Sequence, residues 1–162
     1  MTQSEYNRCA KEHADGLFRF VLKNYNYREK AEDIVQQAFE VLWTKCSEVE
    51  NEKAKSFLFT VAYRKMIDEM RKDKRLLLKD EMPIALAGTT EIKQIDLRKR
   101  LHAALEELPA IQKQLVLLKD YEGYSYDEMA GITGISESQV KVYLFRARMS
   151  LKKSLVSIEA NI

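Results

Sequence analysis

The sequence predicts an all-α protein made of two small helical domains joined by a flexible linker. Three observations carry this. Helix formers (Leu, Ala, Glu, Lys, Arg, Met) dominate a chain of 162 residues that holds only 5 Gly and 2 Pro. Apolar residues recur at three- and four-residue intervals, and no stretch alternates apolar and polar residues as a half-buried strand does. Residues 79–96 lose that period and contain Pro83, Gly88, Thr89 and Thr90, the composition of a linker. The expected units are therefore residues 1–78 and 97–162.

In the first unit, Ala14, Leu17, Phe18, Val21 and Leu22 form the buried stripe of a first helix. A second helix runs from about Arg28 to Lys45, with Ala31, Ile34, Val35, Ala38 and Leu42 on one face. Asn26 can cap it, with Glu29 three residues on to close a capping box. A third helix begins near Ala54, buries Phe57, Leu58, Val61, Ala62 and Ile67, and ends among Arg71 to Arg75. In the second unit, Leu97, Leu101, Ala104, Leu105 and Leu108 make one stripe. Pro109 suits the first turn of the next helix, which buries Ile111, Leu115, Leu118 and Tyr121 and stops at Gly123.

Two capping boxes follow. Ser125 with Glu128, and Ser136 with Gln139, each pair a hydroxyl with an acid or amide three residues later, so two short helices start there. Between them, Ala130 is small enough for a close helix crossing, and Gly134 can take positive φ and turn the chain. Ile135, Val140 and Leu144 then pack the second helix on the first. This spacing is that of a helix-turn-helix. The second helix carries polar Ser136, Ser138 and Gln139 at its start, with Lys141, Tyr143, Arg146 and Arg148 along it. Amides and hydroxyls read base edges, while cations hold phosphates. Earlier, from Arg64 to Lys79, seven basic residues face three acidic ones, a local charge of about +4 that can track a phosphate backbone. Phe57, Phe59 and Tyr63 lie just before it; they either stack on single-stranded bases or belong to the core.

With these segments in view, the chain resembles the sigma-70 family of bacterial RNA polymerase factors. Ala31-Glu32-Asp33-Ile34-Val35-Gln36-Gln37-Ala38-Phe39-Glu40-Val41-Leu42-Trp43 resembles the family's conserved region 2. Ser56-Phe57-Leu58-Phe59-Thr60-Val61-Ala62, then Ile67-Asp68 and Arg71-Lys72, resembles its promoter-melting and −10-reading helix. Leu108-Pro109, Tyr124-Ser125-Tyr126, Glu128-Met129-Ala130, Gly134-Ile135-Ser136, Val140-Lys141 and Arg146-Ala147-Arg148 resemble its region 4. The chain has no room for the other sigma regions, which matches the extracytoplasmic-function group. The resemblance implies an alternative sigma factor that initiates transcription of a specific gene set. Its partners are core RNA polymerase, promoter DNA and an anti-sigma factor. It implies polymerase docking through Asp33, Gln36, Gln37, Phe39, Glu40 and Trp43. It implies −10 contacts from Phe57, Phe59, Tyr63, Arg64, Lys65, Arg71 and Lys72, and −35 contacts from Ser136, Ser138, Gln139, Lys141, Tyr143, Arg146 and Arg148. The chain departs from the family pattern at Tyr63-Arg64, Gln139 and Val142-Tyr143, which bears on promoter sequence.

No cofactor and no enzymatic activity are expected. His13 and His102 lack metal-ligand spacing, and no phosphate-cradling glycine loop, nucleophile elbow or zinc-binding helix motif occurs. Cys9 and Cys46 read as free thiols in a reducing cytoplasm. No apolar run reaches the roughly 20 residues that span a bilayer, and Met1 to Glu12 has no signal-peptide core, so a cytoplasmic protein without membrane insertion is expected. The competing reading is a helix-turn-helix regulator that never joins polymerase; the Ala31–Trp43 segment argues against it.

Overall fold

The structure is a computed structural model that describes residues 1–80 and 97–160. Seven α-helices order the described chain: α1 (Gln3–Tyr25), α2 (Arg28–Thr44), α3 (Ala54–Asp80), α4 (Leu97–Glu106), α5 (Ala110–Val116), α6 (Tyr126–Thr133) and α7 (Glu137–Ala160). A 3-10 turn at Asn51–Lys53 leads into α3, and a π turn at Leu117–Tyr121 continues α5. No strand occurs among the described residues, in line with the all-α expectation. Most of the expected linker, residues 81–96, lies outside the described residues.

α1, α2 and α3 pack on one another around Leu17, Phe20, Val21, Ile34, Ala38, Leu42, Leu58, Ala62 and Met66, each at most 2% exposed. The stripe of α1 is rotated from the expected one: Phe20 is fully buried, while Ala14, Phe18 and Leu22 are half-buried. Thr2 and Glu5 form a reciprocal capping box that fixes the start of α1. Asn26 does not cap α2. It ends α1 instead, at φ 63°, with its backbone N–H donating to the Leu22 carbonyl, and Tyr27 opens α2 with no side-chain cap. Asn tolerates the left-handed region that a helix C-terminus uses, so the same residue type serves either end. α3 extends beyond the expected stop at Arg71–Arg75, reaching Asp80.

α4 to α7 share Leu105, Leu108, Leu115, Leu118, Met129, Ile132, Val140, Leu144 and Ala147. Pro109 stands as the N-cap of α5, one residue before its expected place. Leu97 is 69% exposed and Tyr121 is 44% exposed, against the expectation that both are buried. Tyr121 falls in the π turn, which rotates it off the α5 stripe, and the Lys23 ammonium covers its ring at 4.0 Å from the centroid. The helix-turn-helix forms as read. Ser125 and Glu128 make a reciprocal capping box on α6, and Gly134 turns the chain at φ 82°.

The two glycines near that turn should respond oppositely to the same change. Gly134→Ala places a Cβ in the left-handed region and should lower unfolding stability by about 1–2 kcal/mol. Gly131 lies within α6 and a Cβ there meets no atom within 4 Å. Gly131→Ala should therefore raise stability by up to about 1 kcal/mol. Urea unfolding of both variants checks the sign of each.

Candidate functional site

Three exposed surfaces and one buried seam hold the residues that the sequence singled out. The first surface is the outer face of α2. Its inner residues Ala31, Ile34, Ala38 and Leu42 are consumed by the core, which turns Asp33, Gln36, Glu40 and Trp43 outward. Gln37 and Phe39 are half-buried at its edge. Gln37 Nε2 donates to Asp33 Oδ2 at 2.7 Å, so the two polar groups stand preformed as a pair. Trp43 is 51% exposed, with one edge against the Tyr6 ring at 4.9 Å. Tyr6 also donates to the Phe39 carbonyl at 3.1 Å, tying α1 to this rim. A half-exposed Trp on a mostly polar face, with neighbours already positioned, has the make-up of an interface anchor.

The second surface is α7. Ser136 opens it: Gln139 N donates to Ser136 Oγ at 3.1 Å, and Ser136 N donates to Gln139 Oε1 at 3.1 Å. The cap occupies the Gln139 carbonyl, which leaves only its amide N–H₂ to reach outward. Gln reads adenine bidentately through both ends of its amide, and that mode is closed while the cap holds. Ser138 is exposed. Lys141 is exposed and pairs with Glu137 at 3.5 Å. Tyr143 is half-buried, and exposed Arg146 lies over its ring. Arg148 is anchored within the unit, donating to Asp120 Oδ1 at 2.9 Å.

The third feature is a seam between the two units. α3 packs on α6 along it, and α1 meets α5. Here the expected base-stacking residues separate. Phe57 is half-buried. Phe59 is 0% and Tyr63 is 7% exposed, so in this arrangement neither can stack on a base. Phe59 lies between Phe20 and Tyr124, with ring centroids at 5.5 and 5.3 Å. The Tyr63 hydroxyl donates to buried Gln114 Oε1 at 2.7 Å. Their apolar bodies point at the second unit, which the period of α3 alone could not distinguish from core or solvent. Lys55 donates to the Glu122 carbonyl at 3.2 Å and lies over the Tyr124 ring, and Arg19 comes within 3.9 Å of the Glu122 carboxylate. The Tyr124 hydroxyl is buried with no hydrogen-bond partner among the described residues. Its burial, with Glu122 and Glu128 adding, pushes its pKa far up.

The basic track continues past the seam. Arg64, Arg71, Lys72, Lys74 and Arg75 are exposed and Lys65 is half-buried. Asp73 is withdrawn from it. Lys30 Nζ donates to both Asp73 oxygens at 2.7 and 2.8 Å, and the Tyr25 hydroxyl donates to Asp73 as well. With Asp73 so occupied, the exposed charge of this end of α3 is more positive than its composition suggests. No group of His, Cys, Asp or Glu that could hold a metal occurs among the described residues, and both cysteines are free thiols. No described helix is long and apolar enough to cross a membrane.

Two family models match the chain. The family model "Sigma-70 region 2" matches residues 9–76, and "Sigma-70, region 4" matches residues 98–151. The chain is similar to RNA polymerase sigma factor SigV of Bacillus subtilis (strain 168), at 30% identity over 86% of this chain and 84% of that protein. It is similar to ECF RNA polymerase sigma factor SigM of the same organism, at 30% identity over 84% and 86%. Among solved structures it resembles the sigma factor RpoE in complex with the anti-sigma factor NepR from Bartonella quintana. That match has a TM-score of 0.77 and 25% identity, over 94% of this chain and 97% of that one.

The Lys30–Asp73–Tyr25 cluster sets a pH dependence. Burial opposes the Asp73 charge, but the Lys30 and Tyr25 hydrogen bonds outweigh it and hold the carboxyl below its ordinary value. A depressed carboxylate stabilises the fold above the unfolded aspartate value of about 4, and loses that contribution as pH falls through the folded value. Burial, with the Asp73 bond adding, pushes Tyr25 up to about 12, so its contribution is lost as pH rises above about 10. Asp73→Asn should therefore flatten the acid limb of stability below pH about 4. Thermal melts of wild type and variant between pH 3 and 7 check this; parallel curves would contradict it.

Proposed function

Because the chain belongs to the sigma-70 family, in its extracytoplasmic-function group, we propose that α2 docks it on core RNA polymerase and that α3 and α7 place it on the −10 and −35 promoter elements. It is an alternative sigma factor that directs polymerase to a specific set of promoters. Polymerase carries out the chemistry; the chain supplies position and sequence choice in the cytoplasm. An anti-sigma factor is the partner that restrains it.

The observation that carries this reading is the coexistence, on one chain, of an open docking face on α2 and a capped recognition helix in α7. A DNA-binding regulator independent of polymerase has use for the second alone. Asp33, Gln36, Gln37, Phe39, Glu40 and Trp43 are assigned to polymerase. Arg64, Lys65, Arg71 and Lys72, with Phe57, are assigned to the −10 region. Phe59 and Tyr63 join that surface only once the seam opens. Ser136, Ser138, Gln139, Lys141, Tyr143 and Arg146 are assigned to the −35 region, with Arg148 acting through its anchor on Asp120. The docking face and α7 are both open with the seam closed, so recruitment does not require prior opening.

Replacing Asp33 and Gln37 together by Ala should weaken binding to core polymerase about tenfold or more, while stability changes by less than about 1 kcal/mol, since Asp33 is exposed and Gln37 half-buried. Titration of labelled protein with core polymerase checks it, and unchanged affinity would count against the docking assignment. The seam gives a second expectation. A label on α3 and one on α6, which pack on each other across the seam, should lie close in the free protein and move apart when polymerase binds. Förster transfer measures this; one distance in both states would remove the opening step.

A further inference from the structure

The π turn leaves one side chain without a role. Tyr121 lies on the period of the α5 stripe, yet the turn rotates it out of the core to 44% exposure. Turns of this kind recur at functional sites. Tyr121 opens onto a cleft of about 620 Å³ between α1, the π turn and α4, a size that suits a small molecule. Among the described residues, every ionic side chain that lines the cleft is basic: Lys23 from α1, and Arg98, Lys99 and His102 from α4. The carboxylates of this region are engaged elsewhere. Arg19 and Lys55 approach Glu122, and Lys113 holds Glu106 at 2.6 Å, which leaves His102 at 3.9 Å from it. Lys23, Arg98 and Lys99 have no ion pair among the described residues. Burial, with the Arg19 charge adding, pulls the Lys23 pKa below its ordinary value, as for a cation short of a counter-charge.

Charge and shape together define the occupant. Three unpaired cations and a histidine around one cleft suit a group with several negative charges, and Arg and Lys are the side chains that hold phosphate. Leu105 and the Tyr121 ring, in the same cleft, offer phosphate nothing; they suit a planar apolar body, as in the stacking of a base on an aromatic ring. A nucleotide carries both ends in one small molecule. We propose that this cleft binds a nucleoside di- or triphosphate, with its phosphates on Lys23, Arg98 and Lys99 and its base against Leu105 and Tyr121. Lys23 belongs to the first unit and the other residues to the second. The site is therefore complete only while the seam is closed, and a bound nucleotide favours the closed arrangement by its differential affinity. The inference depends on the closed seam and is independent of the sigma-factor reading.

The test titrates the full chain calorimetrically with ATP, inorganic triphosphate and adenosine at physiological ionic strength. ATP should bind and adenosine should not. Inorganic triphosphate should bind about fivefold or more weaker than ATP, the size expected for one stacked base. Arg98→Gln together with Lys99→Gln, both at exposed sites, should keep the wild-type melting curve and weaken ATP binding about tenfold or more, as loss of charge-assisted bonds does. Lys99→Gln alone serves if the double variant melts early. Lys23→Gln should weaken ATP as well, and Tyr121→Ala should remove the difference between ATP and triphosphate. Lys53→Gln, an exposed cation outside the cleft, should leave ATP affinity unchanged. Absence of ATP binding by wild type would overturn the proposal, as would ATP affinity unmoved by the α4 variants or by Lys23→Gln. Equal affinity for ATP and triphosphate would leave a general anion site, and an equal loss in Lys53→Gln would leave only overall charge attraction; either overturns it. A single-stranded oligonucleotide that binds through the same cations and is not displaced by ATP would give the cleft to nucleic acid, which overturns it too.

Discussion

α3 is buried on two sides by two different units. Leu58, Ala62 and Met66 close the core with α1 and α2, while Phe59 and Tyr63, one position on, reach Tyr124 and Gln114 of the second unit. A helix has room for a second apolar stripe only by giving up polar surface, and α3 does so between Lys55 and Ile67. Beyond that point its second partner ends and its outer face turns cationic. The same helix thus joins the N-terminal core, the seam and the basic track in one rigid rod. Phe59 belongs to both sides: it packs on Phe20 of the first core and on Tyr124 of the second unit.

The seam has the character of a reversible contact. Its apolar centre is Phe59 against Tyr124, but polar groups border it: Tyr63 with Gln114, Lys55 and Arg19 with Glu122. These partners can be replaced by water when the units part. The unpartnered Tyr124 hydroxyl opposes closure, since a buried hydroxyl without a bond costs about 1–3 kcal/mol. Interfaces between domains of one chain commonly show this mixture and this mobility.

Much of the fold was legible in the residues. The Ala31–Leu42 stripe, both capping boxes of the helix-turn-helix and Gly134 declare themselves through local rules, which act within a turn or two of helix. What the residues concealed depends on distant partners. Phe59 and Tyr63 look alike whether they await a base or another domain. Asn26 can begin a helix or end one, and the choice lies in how α1 and α2 meet. Tyr121 lies on the period of α5, and the π turn that takes it off that face has no mark in the local residues. Val142 and Phe145 are 47% and 66% exposed, as their place off the 140, 144, 147 stripe dictates. Arg148 reads as a DNA-facing cation in the sequence, and only the distant Asp120 shows that it is anchored within its own unit.

The π turn itself bears on how this chain can change over generations. Glu122 N–H reaches back to the Leu117 carbonyl and Tyr124 N–H to that of Leu118, spans longer than the four-residue step of an α-helix. One residue is in effect accommodated as extra. Its loss would restore ordinary helical register and swing everything after it by about 100° relative to α5. Glu122 and Tyr124 would then leave Lys55 and Phe59, although neither residue had been altered. The turn between α5 and α6 is therefore a place where a codon deletion, silent for the chemistry of every side chain that remains, would break the seam and the packing of α5 on α7 together.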